Sequence, residues 1–260
     1  MKPPAEEPSE FGRKTFLEHL QDLRDTLIWS LLALVVGILI AVPLAPRVYS
    51  ILKLPLQKAG KDPETFLTAL TPMGYFNLSM LIIVLSGLAI SLPVIVFFIA
   101  GFVFPGLTRK ERKAIRMFGG AGVLLFMVGV ATGYFVVLPV AFKVMFGIAE
   151  WIGGKTVFWV AGEYVMFCLY LMMAFGLAFE LPVVLVMLGY LGLIDSIQLR
   201  SSRIYAMVII LIAAMVITPT TDLINMLVMA IPMMLMYEIS IWIIWLRERR
   251  ERSPRESGAG

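Results

Sequence analysis

The chain has 260 residues, of which 60% are hydrophobic and 15% charged, and its mean hydropathy is +0.89. Soluble domains average roughly 45–50% apolar and about 25% charged residues, so a soluble fold is excluded. The net charge of +4 and pI near 9.2 would suit nucleic acid, but the basic residues gather at the ends of apolar runs, where they signal membrane topology instead.

In chain order, the first fifteen residues carry Pro3, Pro4, Pro8 and several glutamates. No small-residue cleavage site follows the first apolar run, so that run is expected to stay as an anchor and not as a removable signal peptide. From Phe16 the spacing puts Phe16, Leu20, Leu23 and Leu27 on one helical stripe, with Glu18, Asp22 and Asp25 on a wetter face, which predicts an amphipathic helix entering the first span. Thr15-x-x-Glu18 also reads as a capping box. His19 is the single histidine, so no two-histidine metal site or triad is available, and no hydrolase motif occurs. An enzyme is not expected, and no cofactor is assigned.

Six apolar runs follow, at roughly 26–45, 74–101, 117–141, 164–190, 204–217 and 223–245, each long enough to be a helix and most of them long enough to cross ~30 Å of hydrocarbon. They predict an all-α polytopic bundle in a single membrane domain, with an amino-terminal segment 1–25, a membrane region 26–246 and a basic tail 247–260. With six spans the loops alternate sides, and sixteen Lys and Arg fall on the side of the termini against six on the other. The positive-inside rule therefore puts both termini in the cytoplasm. Prolines at 93, 139, 182 and 232 lie inside spans and predict kinked helices around a concave face. The fifth run offers fourteen residues, or ~21 Å at 1.5 Å each, and Glu238 divides the sixth, so the last two spans are expected to be short, with local thinning of the bilayer.

Between the spans, 46–72 reads as a long external loop broken by Pro55, Gly60 and Pro63, its apolar stretch Phe66–Leu70 lying on the membrane surface. The segment Phe146–Trp159, with Trp151, Phe158 and Trp159, reads as an interfacial aromatic belt. Phe102 precedes a Pro-Gly turn and the run Thr108-Arg-Lys-Glu-Arg-Lys-Ala-Ile-Arg116, in which Glu111 is the one acid among five cations and completes a second possible capping box. Cys168 is the only cysteine, which rules out an intrachain disulfide. Glu180 is the only charge between Tyr164 and Ile194. An ionisable group there costs ~2.5–3.5 kcal/mol on insertion scales, so it faces protein or a watery cavity. Asp222 is placed to cap the last span, and Glu238 is explained by snorkelling and local pairing.

Read together, Phe16-x-Glu-His-Leu-x-x-Leu-Arg24, Pro105-x-Leu-x-x-x-Glu-Arg112, Tyr134-Phe135 with Pro139, Phe175-Gly-x-x-Phe-Glu-x-Pro182, Thr218-Pro219, and Ala230-Ile-Pro232 with Tyr237-Glu238 resemble the TatC family of twin-arginine export receptors in order and spacing. The resemblance implies a cup-shaped receptor in the cell membrane. It would bind twin-arginine signal peptides of folded cargo, draw on the proton-motive force, and assemble as a homo-oligomer within a complex of TatB-like and TatA-like single-span subunits among membrane lipid. By motif, Glu18 and Glu111 become acceptors for the arginine pair, with Phe102, Leu20 and Arg24 beside them, since carboxylates accept guanidinium bidentately. Glu180 becomes the polar group of the concave cavity. Met215, Thr218, Asp222 and Asn225 fall at the partner-contact region. The family's Thr-Pro-Pro-Asp turn reads Thr-Pro-Thr-Thr-Asp here, one residue longer, and Asn225 and Met226 stand where a glutamine is common. Two other readings remain: a transporter or channel using Glu180 as an ion or proton site, and a membrane scaffold in which Glu18 and Glu111 serve only as caps.

Overall fold

The computed structural model describes residues 16–103, 109–154, 158–217 and 223–256, with side chains described except at 16, 103, 109–118, 217, 224, 225 and 251–256. Helix α1 spans Phe16–Lys58, a short turn of helix α2 Pro63–Phe66, strand β1 Leu67–Thr68, α3 Gly74–Val103 and α4 Arg109–Thr132. A π-helical turn, Gly133–Val137, leads into α5 Leu138–Trp151, followed by strand β2 Trp159–Val160, α6 Ala161–Tyr190, α7 Ser196–Ser201, α8 Arg203–Ile217 and α9 Leu223–Glu256. Among the described residues, five stretches are long and apolar enough to cross a membrane: Leu17–Lys58, Gly74–Phe102, Gly119–Trp151, Ala161–Tyr190 and Met226–Arg250. The sixth apolar helix, Arg203–Val216, is shorter. The chain is a multi-pass helical membrane protein.

α6 is the centre of the bundle, and α1 and α8 are its edges: α1 packs on α3, α3 and α4 on α6, α6 on α9, and α9 on α8. The result is an open arc of helices. Small residues set the closest approaches. A Cβ on Gly37 of α1 would stand 2.5 Å from the Gly87 carbonyl oxygen of α3, and one on Gly129 of α4 would stand 2.5 Å from the Phe175 carbonyl oxygen of α6. Backbones approach this closely in membranes because lipid offers no hydrophobic gain for helix association, so packing has to supply it.

Three sequence expectations change. The loop expected at 46–72 is helical as far as Lys58, so α1 has 43 residues, or ~64 Å at 1.5 Å per residue, and runs unbroken from the amphipathic segment through the first span. Pro43, Pro46 and Pro55 lie inside it. Pro55 lacks the N–H that would bond the Ile51 carbonyl one turn back, and the Tyr134 hydroxyl donates to that oxygen at 2.7 Å while Tyr164 donates to the Leu52 carbonyl at 2.5 Å. Tertiary donors thus replace the missing backbone bond.

Second, Phe66 and Leu67 are buried. β1 pairs in parallel with β2, Leu67 opposite Trp159, and Phe66, Phe146 and Trp159 form one ring cluster, the last two stacked at 4.9 Å. Trp151 alone of the expected belt tryptophans stands out, 85% exposed. Third, only α8 is short. α9 has 34 residues and continues through Glu238, whose carboxylate pairs with Arg203 at 2.8 Å. Beyond it, Glu248 accepts bonds from the Ser196 backbone N–H and hydroxyl, and Arg247 donates to the Gly189 carbonyl at 3.1 Å. These bonds tie α9 to the ends of α6 and α7. The described ends of the chain therefore lie at the same end of the bundle.

Candidate functional site

At that end, the first turns of α1 meet the last turn of α3. The His19 ring stacks on the Phe102 ring, centroids 4.6 Å apart and planes 19° from parallel. Glu18 and Leu20 flank His19 in sequence and are both exposed, so the stack brings an acidic and an apolar side chain close to Phe102. Arg24 lies further along α1, exposed, and pairs with its neighbour Asp25 at 2.8 Å. Glu111 is the third residue of α4, in the turn where unbonded N–H groups gather and an acid is favoured. Its side chain, and residues 104–108 between Val103 and α4, lie outside the described residues, as does Thr15 of the first capping box.

Five residues back along α3 from Phe102, ~7.5 Å of helix rise, Phe97 borders a small cavity of about 30 Å³ between α3, α4 and α6. Glu180 is its one acidic side chain, only 5% exposed, among Pro93, Val96, Gly119, Gly122 and Val183. Among the described residues none hydrogen-bonds or ion-pairs with it. The cavity exists because α4 turns glycines toward it. A Cβ on Gly122 would lie 2.8 Å from Glu180 Oε2, and one on Gly119 would lie 2.5 Å from the Phe97 ring.

Two of the remaining candidates, Met215 and the Asn225 backbone, lie toward the opposite end. Met215 is on α8 with its side chain exposed. Asn225 is in the first turn of α9 by its backbone, its side chain undescribed, while Thr218 and Asp222 lie outside the described residues.

The chain matches the family described as Sec-independent protein translocase protein (TatC) over residues 18–232. It belongs to the TatC family. It is 37% identical to the Sec-independent protein translocase protein TatC of Aquifex aeolicus over 240 residues, covering 92% of this chain and 98% of that one. It is 32% identical to the chloroplastic TatC protein of Arabidopsis thaliana, over 95% of this chain and 71% of that one. Two crystal structures of a twin-arginine translocase receptor TatC superpose with TM-scores of 0.74 and 0.76, at 36% and 37% identity, over 88% and 86% of this chain and 98% of the other in both cases. The TatC match takes in Glu18, Phe102, Glu111, Glu180, Met215 and Asn225 within one continuous alignment.

Sequence reasoning missed the tyrosines that hold α1, the His19–Phe102 stack and the role of Gly122. Pro55 was the available signal for the first, since a helical proline demands a substitute donor. Nothing local pointed to the other two, which exist only once α1, α3 and α4 are packed.

Proposed function

We propose that the chain is the receptor subunit of a twin-arginine translocase, recognising signal peptides rather than catalysing a reaction. Both termini would lie in the cytoplasm and six helices, including the short α8, would cross the membrane. The observation that supports this most is the His19–Phe102 stack, which joins the carboxylate-bearing start of α1 to the helix end from which the chain leads to Glu111. Two carboxylates at a wet rim accept a guanidinium pair through charge-assisted, bidentate bonds that a lysine pair cannot reproduce. Leu20 and Phe102 would give the peptide's apolar residues a surface, and Arg24, held by Asp25, would position the helix face. Glu180 lies behind the rim as a buried polar group. Met215 and Asn225, with Thr218 and Asp222, would meet single-span partner subunits, since Met215 lies on an edge helix packed mainly on α9.

A photoreactive amino acid at Leu20 tests the rim. It should form an adduct with a twin-arginine peptide that excess unlabelled twin-arginine peptide suppresses and a Lys-Lys version does not. Equal suppression by both peptides would remove the recognition role.

A further inference from the structure

At the end of the bundle away from His19, a cavity of about 500 Å³ opens between the end of α1 and α5, a size common in small-ligand sites. Pro55 and Lys58 come from α1, and Pro139, Lys143, Phe146 and Glu150 from α5. Among the described residues neither Lys58 nor Lys143 has a carboxylate within 4 Å, and both are exposed. A third ammonium, that of Lys61, sits 5.3 Å from the centre of the Phe146 ring, and that ring is fixed by its stack on Trp159. Among the residues that line the cavity, two lysines stand against the one carboxylate of Glu150, a balance that favours an anion.

The walls say which kind. One turn below Pro55 is Ile51, and one turn below Pro139 is Phe135, both exposed large apolar side chains. Each wall thus runs from an exposed apolar residue, through a proline, to a lysine. Trp151, near the end of α5 and 85% exposed, is the kind of side chain that settles at headgroup depth. A cationic cavity above exposed apolar side chains matches an anionic phospholipid, with phosphate at the lysines and acyl chains along Ile51 and Phe135. We propose that Lys58 and Lys143 bind the phosphate-bearing headgroup of an anionic phospholipid in the leaflet opposite the termini.

The test uses the full chain in nanodiscs and the association of spin-labelled phosphatidylglycerol relative to spin-labelled phosphatidylcholine. The unsubstituted chain should prefer the anionic lipid, and the double variant Lys58→Gln/Lys143→Gln should lose roughly tenfold in relative association, as two cations near a surface warrant. Arg47→Gln, which removes an exposed charge elsewhere on α1, should keep the preference. Unchanged helical content and thermal midpoint in the double variant would show that folding is intact. Equal preference in the double variant, or none in the unsubstituted chain, would overturn the proposal. So would loss of the preference in excess inorganic phosphate, which would mark a site for free phosphate instead.

Discussion

Gly122 sets the distance between α4 and the one acid at membrane depth in α6. A Cβ there would lie 2.8 Å from Glu180 Oε2, the far end of a flexible side chain that can turn aside. Gly122→Ala should therefore cost at most about 1 kcal/mol, the displacement of the carboxylate being partly offset by the gain of alanine over glycine inside a helix, read as the unfolding midpoint in mixed micelles. Combining it with Glu180→Ala should recover much of that loss, because the two positions share one space. Additive losses would show that the clash lies elsewhere. Cys168 gives a second check at this scale. It is fully buried, so a thiol reagent should leave the folded chain unlabelled and modify it only after unfolding.

At the scale of elements, α1 depends on donors that come from far along the chain. The Tyr134 hydroxyl meets the carbonyl left without its usual donor by Pro55, and Tyr164 adds a second bond in the same turn. Tyr134→Phe should cost about 1–2 kcal/mol, the usual penalty for an unpaired buried polar group. In a Pro55→Ala background, where position 55 regains its N–H, most of that cost should vanish. An equal cost in both backgrounds would show that the hydroxyl acts only by packing. The same bonds explain which parts of the fold were legible beforehand. The spans stood out because apolar length is a local property. The continuation of α1 past Pro55 did not, since the donor that replaces the missing N–H lies 83 residues away in sequence. The burial of Phe66 and Leu67 was hidden for the same reason, because β1 finds its partner only at Trp159. Glu238 looked like a boundary of the last span until Arg203 supplied its counter-charge. At the candidate site, Glu18 and Glu180 were legible as chemistry out of place, a wet acid by an amphipathic stripe and a lone acid in an apolar run, while Phe102 entered only through the family resemblance. Their neighbours His19 and Gly122 required the packed helices.

For the whole molecule, the open arc with both described ends on one side gives the bundle two unlike rims. One carries Glu18, His19 and Phe102. The other carries the Phe66–Trp159 cluster, the β1–β2 pair and three lysines around Phe146. The proposed receptor works at the first rim, and its central claim is that carboxylates there recognise paired guanidinium groups. The most direct measurement is the affinity of a twin-arginine signal peptide for the full chain in nanodiscs, compared with the Glu18→Gln and Glu111→Gln variants and with a Lys-Lys peptide. Gln retains a capping box while removing the charge, so helix integrity is held constant. The account predicts that each variant weakens twin-arginine binding about tenfold or more, as loss of a charge-assisted bond warrants, and narrows the difference between the two peptides. Unchanged affinity and unchanged discrimination in both variants would contradict it and leave the two glutamates as caps.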